Sequence, residues 1–448
     1  MYLEQKWLEV VSRQPYKVNV IKKTPYLYGV FFSTSMQKYL FYIIPFIFLL
    51  PSSIQSETII KEIKIYGNQI TKDYVIKREL EHTTNSIYDS LKTIDDRNRI
   101  YNLDIFSSVD VTFVDSTYSI YVREAPRILP LPLFSYDEEK GIGYGAGIQN
   151  TNLFGRNYKL FFGGMTGATN IYVIRFLNPW AFGNHVSLAF EMYRDKFKNE
   201  IHKYITTTNG IELESGFYIG LNNKFKVRAG FNGLLLEEMQ EDITTSNYNY
   251  LISLIDYQFD TRDIYNDPTK GSLFWLTNEL AYELGDSKNS YSDLTLSYEK
   301  FYKIHNYRSI VFSYKILSSI YFSKINHIYN IKYLGGDRYI KGYSIDPSLN
   351  YLQDYKFSGY NILLSSIAIQ GTIIEKKDYN GIELGLDGVV FADCGVISDT
   401  LKNIHIDNAV LGFGGGIKIF VSSVGYLGIY IGFNPGSQSF VHLLDSND

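Results

Sequence analysis

The 448-residue chain is poor in several things, and each shortage excludes a class of protein. One cysteine leaves no disulfide framework and no multi-cysteine metal site. A formal charge of -4 with pI near 6.0 lacks the excess of positive charge that a dedicated nucleic-acid binder needs. Charged residues make up only 20% and apolar ones 45%, a balance that argues against disorder. Seven histidines are scattered (His82, His185, His202, His305, His327, His405 and His442), with no HExxH or other metal spacing. No GxSxG nucleophile elbow occurs. The glycine run Gly141–Gly147 lacks the following helix that a dinucleotide loop requires, and reads as small residues on a strand. The expectation is therefore no enzyme, no cofactor and no nucleic-acid partner.

The sequence also lacks an apolar run long enough to cross a bilayer as a helix, which takes about 20 residues. The longest such run, Tyr39 to Leu50, has twelve. Met36-Gln37-Lys38 precedes it, and the small polar residues Ser52, Ser53 and Ser56 follow. A start methionine, a basic residue, an apolar core and a small-residue exit make a secretory signal peptide over 36–56. Residues 1–35 then read as an over-extended gene start. The alternative for 36–56 is a signal anchor or a buried core helix.

What the chain has in abundance is aromatic residues: 40 Tyr, 29 Phe and 3 Trp. Its mean hydropathy of -0.12 resembles a soluble protein, but also a transmembrane β-barrel, whose strands are apolar on one face only. Residues 57–126 form a first unit. A strand is expected over Thr58–Tyr66, with Ile59, Ile63 and Ile65 alternating with charges, followed by a Gly67-Asn68 turn. Thr71 is placed as the N-cap of a first helix, and a second helix spans about Asp89 to Leu103. Two alternating runs close it, Ser108–Val114 and Tyr118–Glu124, giving the order β-α-α-β-β.

From residue 127 onward the period is two. In Phe225–Leu235, Lys226, Arg228 and Asn232 share one face, while Phe225, Val227 and Phe231 share the other. In Leu384–Val396 the even positions are apolar or small, and Glu383, Asp387 and Asp393 fall on the odd face. A soluble sandwich alternates in the same way. The sum of a leader, interfacial aromatics and polar-in, apolar-out strands favours an outer-membrane barrel. Residues 128–444 number 317, and at roughly 20 residues per strand and connection that is about 16 strands.

Several motifs resemble those of a known family. Ile65-Tyr66-Gly67-Asn68, Ile76–Leu80, Leu103–Val109 and Val122–Pro126 look like a polypeptide-transport-associated (POTRA) domain. Gly141–Gly155, Arg175–Gly183 and Asp260–Gly271 resemble the first hairpin, a strand-end motif and the mid-barrel turn of the BamA/TamA-like bacterial surface antigen superfamily. The most specific match is Gly335-Gly336-Asp337-Arg338-Tyr339-Ile340-Lys341-Gly342-Tyr343, similar to the family's signature in the long sixth extracellular loop. Phe391–Gly395 resembles its inward acidic motif on the thirteenth strand.

The resemblance implies an outer-membrane assembly factor or translocase with its POTRA domain in the periplasm. Its partners would be unfolded client proteins, outer-membrane lipid and accessory proteins. The alternative is a passive pore or a structural surface barrel. The housekeeping insertase of the family carries several POTRA domains, and here there is one. An accessory insertase or a dedicated secretion pore is thus expected.

The resemblance also implies a lumen latch built from Gly335, Gly336, Arg338, Lys341, Gly342, Tyr343 and Asp393. Lys341 stands where the family has arginine. A desolvated pair at 4 Å is worth up to about 4 kcal/mol at an effective dielectric near 20. Lysine keeps the charge but loses the two-point fork. A looser latch follows, unless Arg338 substitutes or Lys341 is an ordinary loop lysine. A lateral seam is expected between the first and last strands, at Pro130, Pro132 and Phe440, because proline donates no backbone hydrogen. The alternative leaves both prolines in a linker before a strand starting near Leu133. Client docking is expected on an edge strand of the small domain, around Val109 and Val111 or Ile120 and Val122.

Overall fold

A computed structural model describes residues 58–448 apart from 138–140, 168, 184–185, 200, 240–242, 337, 353–354, 356, 423–424 and 445–448. The readings of 1–35 as an extended start and of 36–56 as a leader lie outside the described residues.

The first unit contains β1 (Glu62–Tyr66), α1 (Asp73–Lys77), α2 (Ser90–Tyr101), β2 (Phe106–Val114) and β3 (Thr117–Glu124). Its sheet order is β1-β3-β2, with β3 parallel to β1 and antiparallel to β2. The core gathers Ile60, Val75, Ile76, Ile100, Ile105, Phe106, Val109, Tyr118, Ile120 and Val122. Gly67 makes the strand-to-helix turn at φ +92°, where a Cβ would meet the Val122 carbonyl oxygen at 1.9 Å.

Three expectations for this unit are corrected. The first strand is shorter than expected, because Ile59 leaves the ladder for an isolated bridge to Ile87 and Ile60 is the buried residue. Thr71 does not cap the first helix. Lys72 stands at that position, and the Thr71 hydroxyl instead donates to Glu124 at 2.6 Å. The third concerns docking. Ile120 and Val122 lie on β3, which is paired on both sides, so its backbone is not available to another strand.

The segment between the helices is held by one buried carboxylate. Asp96 is fully buried and accepts from the Glu81 backbone N–H at 2.6 Å and the Tyr118 hydroxyl at 3.0 Å. His82 Nε2 accepts from the Asp89 N–H at 3.1 Å. Its Nδ1 therefore carries the proton and donates to Asp96 at 2.7 Å. Asp96→Ala would leave these donors without an acceptor, at a cost of about 3 kcal/mol or more. Limited proteolysis should then cut within 78–89 much faster than in the wild type, with the barrel untouched.

From residue 128 onward the described residues form, beside a separate two-stranded pair in one loop, one antiparallel sheet of 16 strands. In chain order these are β4 (Ile128–Asp137), β5 (Gly141–Leu153), β6 (Tyr158–Gly167), β7 (Thr169–Asn178), β8 (Val186–Asn199), β9 (Tyr204–Ile219), β10 (Asn223–Met239), β11 (Ile243–Asp260), β12 (Gly271–Glu283), β13 (Tyr291–His305) and β14 (Ile310–Ser323). A long loop carries the two-residue pair β15 (Lys332–Tyr333) and β16 (Ser358–Gly359). The wall resumes with β17 (Asn361–Tyr379), β18 (Ile382–Ser398), β19 (Val410–Val421), β20 (Gly425–Phe433) and β21 (Ser439–Leu444). The strand count and the polar-in, apolar-out alternation are as expected. Ile211, Leu213, Val227 and Phe231 are exposed on the outer face, while Glu212, Glu214 and Arg228 form ion pairs on the inner one. Such a sheet is the wall of a transmembrane β-barrel. Cys394 is exposed on the outer face of β18.

The small domain contacts the turns at one rim. The Lys72 N–H donates to Gly155 O at 2.9 Å, the Arg78 guanidinium lies 4.4 Å from the Trp180 ring centre, and Arg123 pairs with Asp378 at 2.8 Å. Asn102 bonds both Asp263 O and the Tyr265 N–H, and Tyr101 donates to Glu383. Burial at this junction pushes the Glu79 carboxyl up to about 6, against the pull of Arg78. These turns form the rim that carries the small domain, and the opposite strand ends form the other rim.

Candidate functional site: the luminal latch and the seam

The loop between β14 and β17 turns inward. Leu334, Ile340, Tyr343 and Phe357 are fully buried against Ile362, Leu364, Ile397 and Val410 of the wall. At its innermost point Lys341 Nζ lies 3.1 Å from Asp393 Oδ2, and Asp393 has no exposed surface. The Ser366 hydroxyl donates to the other carboxylate oxygen at 2.5 Å. Lysine offers a point charge where an arginine fork would cover both oxygens, and Ser366 supplies the second contact. The ammonium also sits 4.7 Å from the Phe391 ring centre and 5.9 Å from that of Tyr430.

Arg338 does not take part. It is exposed, and among the described residues the cation that pairs with Asp393 is Lys341. Asp337 of the same motif lies outside the described residues.

The glycines of the motif are explained by backbone contact. Gly342 has φ +103°, and a Cβ there would meet Phe433 O at 2.4 Å. Its N–H donates to His442 Nε2 at 3.0 Å, and its carbonyl accepts from Asn434 Nδ2 at 2.8 Å. Gly336 donates to Tyr343 O at 2.8 Å, closing the turn, and Gly335 packs beneath Ser344. Tyr343 donates its hydroxyl to Leu411 O at 3.1 Å. The structure thus brings Gly335, Gly336, Lys341, Gly342, Tyr343 and Asp393 together and leaves Arg338 outside.

Sequence reasoning missed Ser366, Asn434 and His442. For His442 strand parity is the available signal, since it falls on the face opposite the outward Val441. A second clamp was also missed, Lys332 to Asp293 at 2.7 Å.

The two ends of the sheet are β4 and β21, and no ladder joins them among the described residues. Pro130 and Pro132 lie within β4, opposite Ile148 and Ala146, so the linker alternative is corrected. Thr151 N–H donates to Arg127 O at 2.9 Å, which fixes the hydrogen-bonding phase of the β4–β5 pair. Odd residues of β4 bond β5, and even ones turn their backbone groups to the open side. Both prolines therefore remove donors from the seam and none from the β4–β5 ladder. The last strand starts at Ser439. Phe440 pairs with Gly432 on the same side of β21 as His442, toward the lumen and not the seam edge.

The docking residues are also placed. Val109 is core-buried and Val111 half-buried, so β2 can offer a partner its backbone edge, not these side chains. Arg97 Nε donates to Val109 O at 3.1 Å, which shows that odd residues of β2 turn their backbone groups outward.

A 16-stranded outward-apolar sheet, an inward loop latched to a buried aspartate and a small β-α-α-β-β domain at the periplasmic rim define the class of outer-membrane β-barrels with POTRA domains. The chain belongs to the Omp85 superfamily: that superfamily's domain model matches residues 152–426, and the POTRA model (surface antigen variable number repeat) matches 58–125. It is an outer-membrane protein with its POTRA domain in the periplasm. It is 24% identical over 240 residues to the outer membrane protein assembly factor BamA of Nitratidesulfovibrio vulgaris, over 49% of this chain and 29% of that one. It is 27% identical over 166 residues to BamA of Neisseria meningitidis serogroup B, over 34% of this chain and 21% of that one. The matches thus span less than a third of these relatives' length. The fold is similar to that of BamA from Haemophilus ducreyi lacking POTRA domains 1–3, with TM-score 0.55 and 15% identity over 86% of this chain and 84% of that one. It is also similar to CdiB from Escherichia coli, with TM-score 0.54 and 10% identity over 86% and 76%.

Breaking the latch by removing one partner should cost about 3–5 kcal/mol, the usual penalty for an orphaned buried charge. Lys341→Ala and Asp393→Ala should each lower the urea midpoint of the refolded barrel, read from its heat-modifiable gel shift. The double variant should fall well short of additivity, and Lys341→Arg should stay within about 1 kcal/mol of wild type.

Proposed function

We propose that this protein assists the insertion, assembly or translocation of client proteins at the outer membrane. The seam carries the reading. In lipid each unmet backbone group costs several kcal/mol, and β4 turns two donorless residues toward β21. A barrel whose weakest junction is built into one strand is suited to open there, and a client strand offering its own backbone can occupy the opening. No catalytic group and no cofactor is needed, because folding of the client drives the step. The periplasmic domain would hand over the client by adding it as a strand to the outer edge of β2. Accessory proteins and outer-membrane lipid complete the partners of this reading.

A passive pore or structural barrel is the competing reading. The latched loop speaks against it, since Leu334, Ile340, Tyr343 and Phe357 fill the lumen side that a pore would leave open. Proteoliposomes separate the two: accelerated insertion of client barrels supports assembly, and conductance without it supports a pore. On a Cys394→Ala background, one cysteine within 129–133 and one within 439–443 should crosslink and abolish client handling until reduced. Full activity in the locked form would rule out lateral opening.

The docking edge has its own test. Val111 turns its N–H away from β3, so Val111→Pro removes an outward donor and leaves the β2–β3 ladder intact. Client crosslinking to the periplasmic domain should drop to the level seen on deleting 58–124, while the barrel still inserts. Unchanged client capture would refute the β2 edge.

A further inference from the structure

β8 runs from the periplasmic rim outward, and its even residues face the lipid: Phe190 and Met192 are exposed there. The same face then carries Arg194, Lys196 and Lys198 in succession. Their height is set by the neighbouring strands. Arg194 lies opposite Tyr172 of β7 and Asn209 of β9, and Lys196 opposite Asn170 and Thr207. Below this level the same faces hold apolar Ile174, Ile211 and Leu213. The basic stripe therefore begins where outward residues turn from apolar to polar, at the headgroup level of the outer leaflet.

No direct cross-strand neighbour of Arg194 or Lys196 is acidic. Like charges two residues apart on one face repel, and the residues directly opposite Arg194 and Lys196 (Tyr172, Asn209, Asn170 and Thr207) carry no compensating charge. Directly beneath lies a groove of about 450 Å3 on the outer wall, lined by Phe162, Tyr172, Met192, Ile211 and Phe231, with Arg194 at its upper end. Gly233 leaves one wall open: a Cβ there would find only Asn249 Oδ1, at 3.7 Å. The volume lies within the roughly 300–1,000 Å3 typical of ligand sites.

We propose that this groove holds an acyl chain of a phosphate-bearing lipid of the outer leaflet, with Arg194 and Lys196 taking the phosphate. The apolar lining alone would accept any lipid. The stripe above it selects an anionic headgroup, and Lys198 extends the positive field outward.

The experiment uses the full chain in detergent micelles, with lipid retention read by native mass spectrometry. The probes are lipid A and its dephosphorylated form, which share acyl chains and differ in charge. Each Lys or Arg near an anionic lipid is worth roughly fivefold in affinity, so lipid A should be retained about 25-fold more tightly than the dephosphorylated form. Arg194→Gln with Lys196→Gln should abolish that preference. Gly233→Leu should fill the groove and reduce retention of both probes. Inorganic phosphate alone should not bind, since it lacks the chain. Equal retention of the two probes by the wild type would overturn the proposal without recourse to any variant. So would unchanged lipid A preference in a double variant that keeps the wild-type heat-modifiable gel shift.

Discussion

Asp393 sits inside the barrel with no exposed surface, and much of the luminal architecture follows from matching it. A carboxylate out of contact with water must be paired and fully hydrogen-bonded. Here the cation comes from the loop that turns into the lumen, through Lys341. The loop must then bury its own backbone, and it does so by lying on glycine. A Cβ at Gly412 would meet Lys341 O at 2.0 Å, and one at Gly432 would meet Gly342 N at 2.3 Å. The glycine-rich inner faces of β19 and β20 are the track on which the loop rests.

The second governing constraint is the lipid outside. Sixteen strands satisfy every backbone group only if the sheet's two ends meet. β4 is built against that closure. Its prolines are harmless toward β5 because they fall on even positions, and they are costly toward β21 for the same reason. A shift of one residue would reverse the effect and break the β4–β5 ladder instead.

Much of this was legible in the sequence. The strand number, the inward placement of Asp393 and the Lys341–Asp393 pair follow from parity and motif. Less visible was anything decided by which strands neighbour each other. β3 alternates as an edge strand would, and only the β1-β3-β2 order makes it central. Thr71 has the chemistry of a cap, but Glu124, 53 residues away in sequence, takes its hydroxyl. Ser366 could not be seen, because serine on a strand carries no signal until Asp393 is placed across from it. Phe440, expected at the seam, pairs with Gly432 and is turned inward.

The latch and the seam are not independent. Gly342 is bound through its N–H to His442 on β21 and through its carbonyl to Asn434, between β20 and β21. Gln438 adds two more links, accepting from the Tyr351 N–H at 2.7 Å and donating to Leu349 O at 2.9 Å. The inward loop is therefore fastened to the last hairpin, and β4 has no part in these contacts. If the barrel opens between β4 and β21, as proposed, every one of these contacts can stay intact, with loop, β20 and β21 on one side of the opening. On the proposed reading of lateral opening, the lysine latch keeps that side rigid while its edge is exposed. Without it β21, only six residues long and paired on one side, would fray from β20 when its outer edge lost a partner.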